Sequence, residues 1–331
     1  MKQVWRSTAV YAAAHFAVDL GCAFAVFSAC EAGGLGFLVY NFCAFALQMP
    51  MGLLADRLGR NGWTAALGCL LVALVCCLPS FGLGWAAVLG IGNGLFHVGG
   101  GLDVLNGSGD KAAPLGVFVS PGALGLCCGT VLGHMGANRL PVVLLLALMA
   151  GLILFLCRPA RMPRNAPLAF PKISVLPAAL ALFLVVVLRS CGGMQVPLPW
   201  KSGLWSWIAV LAVVLGKTAG GFLSDRIGAK KAAALSLGLA AILFCFSENA
   251  LAGTAALFLF NMTMPITLWA LAQRMPGCKG FSFGLLTFAL FLGFLPAYLG
   301  AESISGIVLA VLCLVSAGLL VFALRARRGG Y

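Results

Sequence analysis

The chain has 331 residues, 62% of them hydrophobic and 9% charged, with a mean hydropathy of +1.07 and a formal net charge of +13. Soluble domains carry about 25% charged residues, so this composition excludes a water-soluble globular fold. The positive excess sits in short loops between apolar runs, which argues against a nucleic-acid partner and reads as a membrane orientation signal.

Apolar runs of roughly 18 residues or more read as spanning helices, because backbone polar groups in lipid must be satisfied within the element. The short alternating strands of a β-barrel are absent. In chain order, twelve spans are predicted at about 8–30, 34–55, 62–80, 82–104, 113–136, 140–158, 173–194, 203–224, 230–247, 249–273, 279–299 and 302–324. Lys2 to Arg6 followed by an apolar run superficially resembles a secretory leader. His15 and Asp19 interrupt that run and no small-residue cleavage site follows, so it reads as an uncleaved first helix. The longest loop, Arg158 to Lys172, carries Pro159, Pro163, Pro167 and Pro171. It divides the chain into a six-helix bundle at 1–158, a cytoplasmic linker at 159–172 and a second six-helix bundle at 173–331. The expected fold is thus all-α and integral to the membrane.

Charge places the ends. With the N-terminus in the cytoplasm, the inside segments hold seventeen basic residues: Lys2, Arg6, Arg57, Arg60, Lys111, Arg158, Arg161, Arg164, Lys172, Arg226, Lys230, Lys231, Arg274, Lys279, Arg325, Arg327 and Arg328. The outside loops hold two, Arg139 and Lys201, together with Glu31, Glu248 and Glu302. Seventeen against two is a strong positive-inside bias, so a multi-pass protein of the cell (inner) membrane with both termini cytoplasmic is expected. The thirteen Cys residues lie mostly inside apolar runs, where Cys behaves as a small hydrophobe. No CxxC or HExxH spacing occurs, so neither a disulfide framework, a metal site nor a cofactor is expected.

One motif occurs twice. Gly52-Leu-Leu-Ala-Asp56-Arg57-Leu-Gly59-Arg60 follows span two, and Gly221-Phe-Leu-Ser-Asp225-Arg226-Ile-Gly228 follows span eight, 169 residues later. These residues resemble the repeated loop motif of the major facilitator superfamily, and the twelve spans with a central basic linker extend the resemblance over the whole chain. His15-Phe-Ala-Val-Asp19, Gly94-Leu-Phe-His97 and Gly122-Ala-Leu-Gly125 are further similar to its fosmidomycin-resistance-like branch. Span five offers only Ser120-Pro121-Gly122 where many drug antiporters of the superfamily carry a longer Gly-Pro-rich motif, which argues against drug export. The resemblance implies two pseudo-symmetric bundles, related by an axis along the membrane normal, that work by alternating access. It also implies a central cavity lined by helices one, four, seven and ten. Asp56 and Asp225 are expected to lock neighbouring helix ends, since a carboxylate is stabilising at a helix N-terminus, with Arg57 and Arg226 as their partners. Gly52 and Gly221 permit close contact, and Gly59, Arg60 and Gly228 complete the gating set.

Ionisable residues inside a span cost roughly 2.5–3.5 kcal/mol on insertion scales and are functional candidates by default. Asp19, Arg189 and Lys217 qualify, with His15 and His97 as titratable companions; Asp103, at the end of span four, is expected to be interfacial. Asp19 precedes Asp56 by 37 residues and Arg189 precedes Asp225 by 36. The acid and the base therefore fall at equivalent depth in helices one and seven, as a binding site or an ion pair across one. The same spacing matches Gln48 with Lys217, each eight residues before its motif Asp. Lys217 reads either as a gate residue that snorkels to the interface or as a substrate contact. Asp19 and His15, one turn apart, are the candidate proton-coupling pair, against a purely structural His–Asp hydrogen bond. Arg189, Lys217, His97, Asn261, Trp269, Tyr40, Asn41 and Gln48 are the candidate substrate contacts. Trp269 could equally be an interface anchor, and Pro265 is expected to kink span ten.

The expected function is proton-coupled transport of a small anionic or zwitterionic solute by a monomer, its partners being that solute, protons and the lipid bilayer. No Gly-x-x-x-x-Gly-Lys-[Ser/Thr] sequence supports direct ATP coupling. Two alternatives stand beside this reading. One is a metal or organic-cation exporter with His15, Asp19, His97, Cys191 and Met194 as ligands; the other is a non-transporting membrane sensor or scaffold. No nucleophile–base constellation suggests an enzyme.

Overall fold

The computed structural model describes residues 2–29, 34–80, 82–157 and 163–325. The expectations attached to Glu31, Arg158, Pro159, Arg161, Arg327 and Arg328, and the start of the linker, lie outside the described residues. Within them the chain is helical without strands and forms twelve rods. These are α1 (Lys2–Ala29), α2 (Leu35–Leu58), α3 (Asn61–Cys77), α4 (Leu83–Ser108), α5 (Ala113–His134), α6 (Leu140–Leu156), α7 (Ile173–Gln195), α8 (Gly203–Ile227), α9 (Ala229–Phe244), α10 (Ala250–Arg274), α11 (Pro276–Tyr298) and α12 (Gly306–Arg325). Each coincides with one predicted span. Nine are long and apolar enough to cross a membrane; α3, α6 and α9 are shorter. The protein is a multi-pass membrane protein.

Proline explains where the rods break. Pro50 has no N–H to give the Ala46 carbonyl, and α2 passes through a π turn at Phe42–Ala46 just ahead of it. Pro121 interrupts α5 at Ser120, whose Oγ donates to the Gly116 carbonyl at 2.5 Å. Pro265 cannot donate to Asn261, and α10 breaks at Met262, three residues upstream. The regular hydrogen bonding is therefore interrupted just ahead of Pro265, while Met262 keeps helical backbone angles. Glycine accommodates this break, because a Cβ at Gly220 would lie 2.0 Å from the Met262 carbonyl oxygen.

The packing repeats with the sequence. In the N-terminal bundle α1 packs on α5 and α3 on α6; in the C-terminal bundle α7 packs on α11 and α9 on α12. Between bundles, α2 meets α11 and α8 meets α5. These two contacts exchange under the same six-helix shift, which makes the interface pseudo-two-fold. The α1–α5 contact is close because α5 presents Gly122, Gly125, Gly129 and Gly133 to α1. A Cβ at Gly129 would stand 2.2 Å from the Leu20 carbonyl oxygen, and small residues of this kind let helix backbones approach in lipid.

The hydrogen bonds that tie the bundles cluster on the side bearing the repeated motif, here termed the motif side. Described linker residues run along that side and touch both bundles. Asn165 donates from Nδ2 to the Ala55 and Asp56 carbonyls at 3.0 and 3.3 Å. Its Oδ1 accepts from Asn61 and Asn106, each at 2.8 Å. Four residues on, Ala169 N–H donates to the Gly277 carbonyl at 3.2 Å, beside the start of α11.

Candidate functional site

The motif carboxylates cap helices of the opposite bundle. Asp56, at the end of α2, accepts from the Gly280 and Phe281 N–H groups at 2.8 and 2.9 Å. Asp225, at the end of α8, accepts from the Ala112 and Ala113 N–H groups at 2.6 and 3.1 Å. Each carboxylate thus satisfies the orphan donors of a helix N-terminus and sits at the positive end of its dipole. This corrects one expectation: Arg57 and Arg226 form no ion pair with the motif acids and are exposed, as is Arg60. The carboxylate oxygens are already engaged by backbone. Gly52 and Gly221 do provide close approach, with Cβ positions 2.0 Å from the Gly280 oxygen and 2.8 Å from the Ala112 oxygen. Gly59 and Gly228 terminate α2 and α8 with φ of 64° and 90°, a region that favours glycine.

Deeper in the N-terminal bundle, α1 and α4 bring three titratable side chains together. His15 Nε2 lies 3.2 Å from Asp19 Oδ2, His97 Nε2 lies 3.6 Å from Asp19 Oδ1, and the two Nε2 atoms are 2.9 Å apart. Both rings are oriented through Nδ1, which contacts the Phe118 carbonyl at 2.8 Å for His15 and the Asn93 carbonyl at 2.9 Å for His97. A carbonyl only accepts, so each Nδ1 carries its hydrogen. A hydrogen bond between the facing Nε2 atoms then requires a further proton on one ring. The cluster is a buried place to hold a proton next to a carboxylate. Gly122 leaves room for it: a Cβ there would lie 2.3 Å from His15 Nε2 and 2.4 Å from Asp19 Oδ2. Asn93, which the sequence reading missed, donates to Asp19 Oδ1 and Tyr40 Oη, each at 3.4 Å. Its one signal in the sequence is a place one turn before His97.

Asp19 makes no ion pair with Arg189, contrary to one of the two expected arrangements; its ion-pair partners are the histidines. The basic groups lie across the bundle interface. Lys217 Nζ donates to the Val119 carbonyl at 3.4 Å, at the break in α5, rather than reaching the membrane surface. It is within electrostatic range of both Asp19 and Arg189. Arg189 is 8% exposed, and its Nη1 has no hydrogen-bond partner among the described residues. Trp269 Nε1 is buried in the same condition.

The remaining candidates bond mainly within their own helices, although Gln48 Oε1 is also buried without a partner among the described residues. Asn41 and Asn261 donate to carbonyls one turn back on their own helices, Phe37 and Leu257, each at 2.8 Å. Gln48 is wholly buried against α11, with Nε2 on the Ala44 carbonyl at 2.5 Å. It joins the closed interface and not the Lys217 environment. Of the five ligands of the metal reading, Cys191 and Met194 stand apart: Cys191 Sγ contacts Gln195 Oε1 at 3.1 Å, and Met194 is exposed.

Asp103 also differs from expectation. It is 3% exposed and accepts from Tyr11 Oη at 2.5 Å and Asn61 Nδ2 at 2.8 Å. The first turn of α3 and the linker cover it from the membrane surface through Asn61 and Asn165. Replacing Tyr11 with Phe removes one of its two donors, at a cost of about 1–3 kcal/mol. Thermal unfolding in detergent is expected to drop by several degrees; an unchanged midpoint would show Asp103 satisfied some other way.

A scan of protein-family models finds no match to the chain, and a search of curated proteins finds none either. Solved structures do match. The E. coli fucose:proton symporter FucP, as a point variant, superposes with a TM-score of 0.66 over 96% of this chain and 97% of its own, at 14% identity. FucP described as a major facilitator superfamily transporter in the outward conformation matches with the same score and identity, over 98% of its own chain. The architecture of two six-helix bundles is therefore the major facilitator fold.

Proposed function

We propose that this protein is a secondary active transporter that couples proton movement to passage of a small anionic or zwitterionic solute. One observation carries the reading: the charges inside the spans are divided between the bundles without being paired across them. The acid, with its two histidines, belongs to α1 and α4; Lys217 and Arg189 belong to α8 and α7. Rocking of the bundles changes the distance between these groups, so protonation of the first set is linked to the field felt by a solute at the second. FucP, described as a fucose:proton symporter, shares the fold and supports coupling to protons. Arg189 supports the solute's charge, since a buried guanidinium nitrogen without a partner favours an acceptor such as carboxylate or phosphate.

The charge bias of the loops supports a cytoplasmic motif side, with the protein in the cell membrane. In that orientation the tied state is closed to the cytoplasm. Asp56 and Asp225, with Gly52 and Gly221, form the gate of that state.

Thermal-shift screening against a metabolite panel identifies ligands, and proteoliposome flux under an imposed pH gradient tests coupling. The Arg189→Gln variant is expected to weaken binding of the anionic hits about ten- to a hundredfold, the worth of a charge-assisted hydrogen bond of about 1.5–3 kcal/mol. Unchanged transport of every candidate anion by that variant rules out the anionic substrate.

A further inference from the structure

We propose that His15, Asp19 and His97 form a three-ligand site for a divalent transition-metal ion of the zinc class. The site does not depend on the transport reading, because it rests on the donor atoms alone.

The three ligand atoms, one from each side chain, lie within 4.8 Å of one another. A tetrahedral ion with bonds of about 2.0–2.2 Å to nitrogen and oxygen sets its donors about 3.4 Å apart. The observed separations are 2.9 Å between the two Nε2 atoms, and 3.2 and 3.6 Å from them to the carboxylate oxygens. Small side-chain adjustments bring all three to the same ion.

The outer hydrogen bonds match as well. Ligating histidines almost always donate their second ring N–H to a carbonyl or carboxylate, which fixes tautomer and orientation. Here His15 Nδ1 is held by Phe118 O and His97 Nδ1 by Asn93 O, so both Nε2 atoms face Asp19 and become ligands once the proton between them leaves. Gly122 keeps the donor atoms uncovered, since a Cβ there would fall 2.3 Å from His15 Nε2 and 2.4 Å from Asp19 Oδ2. Two imidazoles and one carboxylate suit zinc, cobalt, nickel or iron(II) and not magnesium or calcium. Three protein ligands leave one position of the ion for water or an incoming group. Binding balances simply: the ion takes the place of the proton held between the two Nε2 atoms, and that proton leaves to solvent. Metal and proton are therefore competing occupants of one cluster.

The test uses tag-free, full-length protein in detergent, titrated with Co²⁺ by visible absorption and with Zn²⁺ by calorimetry. One ion per chain is expected, with a low-coordinate Co²⁺ spectrum that Zn²⁺ abolishes and Mg²⁺ leaves alone, and with proton release detected by a pH dye. His15→Ala and His97→Ala are each expected to weaken binding at least about tenfold. Asp19→Asn, which keeps the side-chain shape, should weaken it too. Gly122→Ala should block it by covering the donors. His134→Ala, at the far end of α5 against Phe27, should change nothing. Each variant's thermal unfolding without metal reports whether it folds. No Co²⁺ spectrum in the parent protein, or equal affinity in the folded His15→Ala/His97→Ala double variant, overturns the site.

Discussion

A Gly52→Val variant is expected to lose closure of the motif side and, with it, solute transport. The Gly52 Cβ position lies 2.0 Å from the Gly280 carbonyl oxygen and 2.9 Å from the Phe281 nitrogen, both backbone atoms that no rotamer change can move. The reverse contact is also too close for a side chain, with a Cβ at Gly280 placed 2.5 Å from the Gly52 oxygen. Any side chain at position 52 must therefore push α2 away from α11. That displacement also breaks the bonds from Gly280 and Phe281 to Asp56, now 2.8 and 2.9 Å long. Overpacking costs about 1–3 kcal/mol or more, enough to move a two-state equilibrium by roughly five- to a hundredfold or beyond. Spin labels at the exposed positions Arg57 and Arg226, introduced after replacement of accessible native cysteines, should report a longer distance in the variant. Gly221→Ala is expected to do the same to a smaller degree, because its nearest backbone oxygen, that of Ala112, stands at 2.8 Å. An unchanged distance distribution in Gly52→Val would show that this contact does not hold the side closed.

Asp19→Asn is expected to abolish solute accumulation driven by a pH gradient while sparing exchange of solute across a membrane without one. The substitution keeps size and shape but exchanges one acceptor oxygen for an NH2 donor and removes the charge that holds the two histidines. An amide neither takes nor releases a proton in the working pH range, so under the coupling proposed above the cluster would no longer link proton movement to the rocking of the bundles. The readout is accumulation of a ligand found by thermal shift, in proteoliposomes with and without an imposed gradient. Loss of the gradient-driven component alone assigns coupling to Asp19. Loss of both components points to substrate contact, and retention of both removes Asp19 from the mechanism.

The features legible in the sequence were those that act within one helix or repeat in both halves. The Asp56 and Asp225 loops declared the duplication. The His15–Asp19 spacing of one turn placed two of the three cluster members together, and Pro265 announced the break in α10. Cross-helix partners were harder to read. His97 joins His15 across 82 residues of chain, and Asn93 enters only because α4 packs on α1. The error over Arg57 and Arg226 has a clear cause: the motif acids bind backbone N–H groups, which every residue but proline carries, so no side-chain pattern reveals them. The position of Asp103 near a helix end points to the surface. Its cover comes from Asn61 at the start of α3 and from Asn165 in the linker, 62 residues away from it, which no local pattern foretells.

The linker carries a final consequence. The bundles share one architecture, but the described part of the chain joining them lies on one face, with Asn165 fastened to the first bundle and Ala169 to the second four residues later. Separating the bundles on that face must stretch or release this short tether, whereas separating them on the other face leaves it slack. Duplication alone treats the two faces alike; the tether distinguishes them. On the transport reading proposed above, this tether favours the state closed on the motif side, and each cycle would release and remake it.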